Sequence, residues 1–139
     1  MKKYILDTNA LIALSKNNEK FMQRFNKHIL SKDLILTTVL NYYEFARGFS
    51  NSSNPAVSII KKYFRTAIKI EPINYEISES CSEIYKQLKS RYKSKYFPDD
   101  VDILTASFTM GVKGILITHD SDFNAISALK SFQIENREL

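Results

Sequence analysis

The sequence predicts an α/β fold in which a mostly parallel sheet is covered by helices on both faces. Its 139 residues suit one compact domain, so we expect a single domain over residues 1–139. Short apolar runs alternate along the chain with longer segments whose apolar residues recur at helical spacing. Strands that alternate with helices are joined by right-handed crossovers, which produce a parallel sheet with helices on each side.

Short apolar runs predict the strands of this sheet. In chain order they lie at residues 4–6, 34–36, 67–70, 114–118 and 132–134. Uninterrupted apolar runs of this length are typical of strands that are buried on both faces. The first run ends directly at Asp7, and the clearest run, 114–118, is closely followed by Asp120. Because ligands of open α/β sheets bind beyond the carboxyl ends of the strands, both placements are functional clues.

Helical spacing and capping residues predict the helices. In chain order they cover residues 10–14, about 18–31, a segment capped by Thr37 or Thr38 that runs through Arg47, a segment from Pro55, residues 74 to about 94, a segment that Asp99 caps and that reaches Met110, and a short stretch before the last strand. Ser, Thr and Asp side chains accept hydrogen bonds from the free amides of a first helical turn. Gly111 is placed to end the helix that Asp99 begins.

The cysteine count and the apolar runs exclude several classes of protein. Cys81 is the only cysteine, so neither an intrachain disulfide nor a cysteine metal cluster can form. Asp7 interrupts the apolar start of the chain, and no apolar run approaches the roughly 20 residues of a membrane span. We therefore expect a soluble, cytoplasmic protein without a membrane partner.

The charge balance favours a polyanionic partner but does not require one. Twenty Lys and Arg residues against fifteen Asp and Glu residues give a net charge of +5. A basic surface attracts nucleic acid, whereas the same charge also keeps a small protein in solution. The positions of the acids within this basic chain are more informative.

Four acids occupy positions that each allow an ordinary structural role. Asp7 lies between a strand and a helix, where it can be an N-cap. Glu44 lies in an apolar and aromatic helix, where it can be exposed or paired with Arg47. Asp102 lies near a helix start, where the helix dipole favours acids, and Asp120 lies at a turn that it can cap.

The joint placement of these acids predicts a metal site. The topology brings the ends of the first and last main strands to one crevice, which the two acid-bearing helices can line. Two carboxylates about 4 Å apart repel by roughly 4 kcal/mol at an effective dielectric constant of about 20, so the cluster needs protons or cations. All-oxygen ligands suit Mg²⁺ or Mn²⁺ rather than zinc, and such ions activate water and stabilise a leaving oxygen. A basic chain with this pocket has the electrostatic design of a nuclease.

Four sequence blocks around the acids resemble the PIN-domain nucleases, and among them the VapC-like toxins of prokaryotic toxin–antitoxin pairs. The blocks are YILDTN (4–9), TTVLNYYE (37–44), DILTA (102–106) and ILITHDSDF (115–123). Each block is weakly specific, but their order and the chain length match the family over nearly the whole sequence. Thr105 and Ser107 depart from the family pattern, in which the helix that carries Asp102 is usually more aliphatic. Hydroxyls that bond back into their own helix are compatible with that pattern.

The resemblance implies a three-layer α/β/α fold and a role for each acid. It gives Asp7, Glu44 and Asp102 the three principal positions of catalytic metal ligands, with Asp120 as the more variable fourth. It further implies Mg²⁺ or Mn²⁺ as the cofactor and hydrolysis of RNA phosphodiester bonds by metal-activated water. It also implies a homodimer and a cognate antitoxin, so that the chain is expected to be the toxin.

The resemblance also gives secondary roles to residues beside the acids. Thr118 and Asn9 are expected to support the site by hydrogen bonds. Asp99 and Asp100 are expected at a helix cap or on the rim. Asp122 is expected either to assist the fourth position or to cap the last helix.

Other functions remain open at this stage. A catalytically silent PIN-like module that binds RNA or a protein would keep the same fold, although the complete set of acids argues against it. A DNA-directed flap nuclease would need added elements to grip DNA, and none is obvious. Basic and aromatic residues alternate over 91–96, where they can bind RNA phosphates and bases or simply form a solvated helix end.

Overall fold

A parallel sheet runs through the centre of the computed structural model, which describes residues 1–92 and 97–136. Within these ranges the sheet has five strands in the order β3-β2-β1-β4-β5, and each neighbouring pair is parallel. The strands are β1 (Lys3–Leu6), β2 (Leu34–Thr38), β3 (Ile68–Glu71), β4 (Ile115–Thr118) and β5 (Gln133–Asn136). The predicted strands are confirmed, with ends that differ by one or two residues.

Helices connect the strands and cover both faces of the sheet. In the described ranges they are α1 (Thr8–Ser15), α2 (Glu19–Leu30), α3 (Val39–Arg47), α4 (Pro55–Thr66), α5 (Tyr75–Tyr92), α6 (Asp100–Gly111) and α7 (Asp122–Leu129). The start of α1 lies two residues before the predicted residue 10, because Asp7 caps the helix. The end predicted for α5 near residue 94 lies outside the described residues. None of these helices is both long enough and apolar enough to cross a membrane.

Two apolar cores, one on each face of the sheet, give the fold its three layers. β1 shows the alternation of a strand between two cores. Tyr4 and Leu6 pack with α1 to α4, whereas Ile5 packs with α5 to α7. The predicted three-layer α/β/α fold is therefore confirmed.

The carboxyl ends of β1, β2 and β4 form the edge at which the acids collect. β1 is the central strand, and Leu6 lies opposite Ile117 of β4. The chain after β1 enters α1 on one face, and the chain after β4 enters α7 on the other. Helices that diverge in this way leave a crevice beyond the strand ends. Asp7 and Asp120 lie beside this crevice.

Candidate active site

Asp7 is buried at the junction of β1 and α1, where 3% of its surface is exposed. Its Oδ1 accepts a hydrogen bond from the Ala10 backbone N–H at 2.8 Å, so the predicted N-cap is confirmed. Burial raises the pKa of Asp7 to about 6. Hydrogen bonds from the Thr118 hydroxyl and the Ala10 amide act in the opposite direction and lower this pKa. The charges of Asp120 and Glu44 raise this pKa further. The cap therefore changes its protonation near neutral pH.

Thr118 connects Asp7 with Asp120. The Thr118 hydroxyl donates to the Asp7 carboxyl, and its Oγ1 accepts from the Asp120 backbone N–H at 3.0 Å. Asp120 Oδ1 in turn accepts from the Asp122 backbone N–H at 2.9 Å. These contacts give Thr118 the supporting position that the resemblance implies. Asn9, the other expected supporting residue, is half-buried in the first turn of α1.

Asp102 lies in the first turn of α6, beyond the cap of that helix. Asp99 Oδ1 accepts from the Asp102 backbone N–H at 2.9 Å, and both Asp99 and Asp100 are exposed, as expected for cap and rim residues. Burial, followed by the charge of Asp99, raises the pKa of Asp102 to about 8. The charges of the other three candidate acids contribute to the same rise. The structure therefore brings all four acids into electrostatic contact around Asp102.

Glu44 lies on α3, between the pocket and the exposed Arg47. Its Oε2 is 3.6 Å from Nη2 of Arg47, so the ion pair considered from the sequence is present. The Glu44 side chain is only 18% exposed, and its charge raises the pKa of both Asp7 and Asp102. The two interpretations of Glu44 are therefore compatible, because one carboxylate contacts Arg47 and also acts on the pocket.

The carboxylates that are closest together belong to Asp102, Asp120 and Asp122. Their oxygens lie within 4.8 Å of one another, and in the described part of the chain this is the one such group of three acidic, His or Cys ligands. Ligand oxygens around Mg²⁺ lie about 2.1 Å from the ion, so oxygens on opposite sides of one ion are about 4.2 Å apart, which is close to the spacing of this set. The donor set fits Mg²⁺ or Mn²⁺. Of the two roles expected for Asp122, this geometry favours assistance at the fourth position.

The hydroxyls that depart from the family pattern bond back into their own helix. Thr105 Oγ1 donates to the Val101 carbonyl at 2.6 Å, and Ser107 Oγ donates to the Ile103 carbonyl at 2.9 Å. Since both side chains are almost fully buried, these bonds satisfy hydroxyls that water does not reach. The expected back-bonding is confirmed.

Asn41 is a buried polar residue of the site that the sequence prediction missed. It lies on α3, one turn before Glu44, and its side-chain amide contacts the hydroxyls of Thr8, Thr38 and Thr105. A polar side chain three residues after a Thr cap is a capping-box spacing, and that signal was available in the sequence. The contacts with α1 and α6 were not, because they join distant parts of the chain.

Part of the basic and aromatic segment at 91–96 is described. The Arg91 guanidinium carbon lies 5.9 Å from the ring centre of Tyr92, and residues 93–96 lie outside the described residues. One turn earlier, Lys89 Nζ lies 5.8 Å from the ring centre of Tyr85, which is 37% exposed. Cationic and aromatic groups therefore alternate along the end of α5, in the part of the chain that leads to α6.

A family model described as PIN domain matches residues 4–129, and the chain belongs to the PIN domain family. The chain is 27% identical to Ribonuclease VapC1 from Haemophilus influenzae (strain R2866), over 91% of this chain and 94% of that protein. This family and this relative confirm the resemblance described from the sequence.

Solved structures have the same fold. One is a chain in the crystal structure of VapBC2 from Rickettsia felis bound to a DNA fragment from their promoter. It has a TM-score of 0.74 and 19% identity, over 98% of this chain and 99% of that chain. Another belongs to VapBC-5 from Mycobacterium tuberculosis, a member of the VapBC family of toxin-antitoxin systems. It has a TM-score of 0.65 and 15% identity over 100% of both chains. Likenesses at these identities show the fold alone.

Proposed function

We propose that this chain is a metal-dependent endoribonuclease that acts as the toxin of a toxin–antitoxin pair, with residues 1–139 as one PIN domain. The observation that carries the proposal is the convergence of acids from separate elements around Asp102, whose pKa is raised to about 8 by burial first and then by the charges of the neighbouring acids. Clustered like charges oppose folding, so a fold that retains them favours a bound cation over a structural role. The relative named Ribonuclease VapC1 supports RNA as the substrate.

The proposed cofactor is Mg²⁺ or Mn²⁺. Asp102, Asp120 and Asp122 have the carboxylates best placed to hold one ion, and Asp7 and Glu44 border the same pocket. A divalent ion bound there would supply a Lewis acid that lowers the pKa of water and stabilises the negative charge of a phosphodiester. The catalytic residues of the proposal are the four predicted acids, with Asp122 as an added metal ligand.

The residues of the chain itself have distinct tasks in this proposal. Asp7 is held by Ala10 and Thr118, so its carboxyl has a fixed direction and can hold or release a proton near neutral pH. Thr118 Oγ1 accepts a hydrogen bond from the Asp120 backbone N–H and so keeps Asp120 in place. The net charge of +5 attracts the RNA backbone to a protein whose pocket is itself acidic.

Cleavage by acid-to-amide variants tests the proposal. We expect wild-type protein to cut an RNA pool with Mg²⁺ or Mn²⁺ and not with EDTA. We expect Asp7→Asn and Asp102→Asn to lower the rate by at least about 100-fold, because each removes charge that the cation needs. Glu83→Gln is the matched control, since Glu83 is an exposed acid of α5 whose charge is paired with Lys86, and it should leave the rate unchanged.

The results separate the nuclease from the alternatives. Cleavage by Asp7→Asn at the wild-type rate would overturn the proposed site. RNA binding without metal-dependent cleavage by the wild type would favour the catalytically silent module. Cutting of DNA in place of RNA would favour the third alternative.

The proposed partners are a cognate antitoxin and a second copy of this chain. The solved structure that belongs to a VapBC toxin-antitoxin system supports the first. Co-expression with the product of the neighbouring reading frame should give a stable complex in which RNA cleavage is lost. Light scattering of the purified chain should give twice the monomer mass. A neighbouring product that neither binds nor inhibits would contradict the toxin role, and a monomer would contradict the dimer.

A further inference from the structure

We propose that Asn41 is a positioning residue that sets the spacing of Asp7, Glu44 and Asp102 by tying together α1, α3 and α6. This inference rests on the proposed nuclease function, which it deepens. Asn41 touches neither substrate nor cation in this proposal, and it acts through the helices that it joins.

The hydrogen bonds of Asn41 reach two other segments and the cap of its own helix. Its Nδ2 donates to Thr8 Oγ1 on α1 at 3.3 Å and to Thr105 Oγ1 on α6 at 3.0 Å. Its Oδ1 accepts from Thr38 Oγ1, the cap of α3, at 2.7 Å. Both amide hydrogens and the carbonyl oxygen therefore have partners, and Asn41 is 1% exposed. No rotation of the side chain preserves all these bonds, so the network fixes one arrangement.

Each partner lies beside an acid of the site. Thr8 directly follows Asp7, Thr105 lies one turn after Asp102, and Glu44 lies one turn after Asn41 itself. A shift of α1 or α6 relative to α3 would stretch a bond to Asn41 and change the spacing of the acids. An apolar side chain at this position would fill the space but would remove the bonds from α3 to Thr8 on α1 and Thr105 on α6.

Thr105 is the partner that this chain has in place of the more aliphatic residues usual on that helix. Its hydroxyl donates to the Val101 carbonyl at 2.6 Å and is free to accept from Asn41 at 3.0 Å. Thr109, one turn later, is equally buried and donates to the Thr105 carbonyl at 2.8 Å, with no bond to Asn41. These two threonines form a matched pair.

The test compares Thr105→Val with Thr109→Val in the full chain. Both variants replace a buried hydroxyl on α6 by a methyl group of similar size, and only the first removes the bond to Asn41. The measurements are Mn²⁺ affinity of the metal-free protein by calorimetry, thermal stability, and kcat and KM for RNA. We expect Thr105→Val to weaken Mn²⁺ binding and lower kcat by about tenfold with KM unchanged, as for other residues that orient metal ligands.

The controls make the role of Asn41 falsifiable. Thr109→Val should keep Mn²⁺ affinity and kcat within about twofold, and Thr105→Ser, which retains the hydroxyl, should restore both. Asn41→Ala should show the Thr105→Val defect or a larger one.

Equal losses of thermal stability in the two valine variants, with unchanged Mn²⁺ affinity and kcat, would show a purely structural residue and overturn the inference. A wild type that binds Mn²⁺ but cuts no RNA would overturn the proposed function. The Mn²⁺ affinities of Thr105→Val and Thr109→Val would then still decide whether Asn41 positions the acids. A wild type that binds no Mn²⁺ would overturn both.

Discussion

Asp7 combines two roles that the sequence presents as alternatives. It caps α1 through the Ala10 amide, and it also lies in the acidic pocket with a pKa near 6. The cap explains why an aspartate is tolerated at a buried strand end, because the amide and the Thr118 hydroxyl replace part of its lost hydration. These two hydrogen bonds do not replace all of the lost hydration, so the Asp7 carboxylate remains destabilised in the folded protein. A bound cation would relieve this destabilisation.

Replacement of this carboxylate by an amide is expected to stabilise the metal-free protein. The rise of the Asp7 pKa from 3.8 to about 6 corresponds to about 3 kcal/mol at most, and Asn can still accept from the Ala10 amide. We expect Asp7→Asn to raise the free energy of unfolding at about pH 8 by about 1–3 kcal/mol, measured by urea denaturation with EDTA. A variant that is less stable than wild type would show that the carboxylate is mainly structural.

The pH dependence of this effect has a defined sign. The folded state keeps a proton on Asp7 that the unfolded state loses, so wild-type stability falls as pH rises from about 4 to about 6 and is level above this range. Asp102 extends the fall to about pH 8. The gain from Asp7→Asn should therefore disappear near about pH 4, where the carboxyl is protonated in both states.

At the scale of the elements, β4 needs a glycine at its start. Gly114 is buried, and a Cβ there would collide with Cδ1 of Ile5 and lie 3.2 Å from the Lys3 carbonyl oxygen. The central pairing of β1 with β4, which places Leu6 opposite Ile117 just before Asp7 and Thr118, thus depends on close contact at the opposite end of the strands. Close packing at the amino ends of β1 and β4 therefore helps to position the acids beyond the carboxyl ends of these strands.

Gly114→Ala is expected to destabilise the protein by about 1–3 kcal/mol, because a packed core resists an added methyl group. Gly111→Ala is the control, since its Cβ would lie 3.7 Å from Cγ1 of Ile77, an ordinary contact, at the end of α6. That substitution should be neutral or stabilising by up to about 1 kcal/mol. Urea denaturation measures both, and equal stabilities of the two variants would contradict the packing argument.

At the scale of the whole molecule, the sequence predicts local features well and distant contacts poorly. Apolar runs and capping residues predicted the strands and helices, because both signals lie within a few residues. The order of the strands did not follow from them, since it depends on how helices pack against each face. Asp99 and Asp102 look alike as acids of a helix start, so only the family resemblance distinguished them from the sequence, and the fold separates the cap from the pocket residue.

Contacts over long separations define the role of Asn41, which the sequence prediction missed, and of Asp122, which it left between two roles. Asn41 meets Thr8 across 33 residues and Thr105 across 64 residues. Asp122 approaches Asp102 because α6 and α7 pack on the same face of the sheet. Neither contact follows from the spacing of these residues along the chain.

The central position of β1 has a consequence for the biosynthesis of the protein. Asp7 is made first, but Leu6 finds its partner Ile117 only after most of the chain has been translated. Asp102, Asp120 and Asp122 are also encoded late, so a nascent chain carries an incomplete set of acids until β4 and the start of α7 have emerged. If the chain cuts RNA as proposed, its own messenger and ribosome are protected from it during most of synthesis.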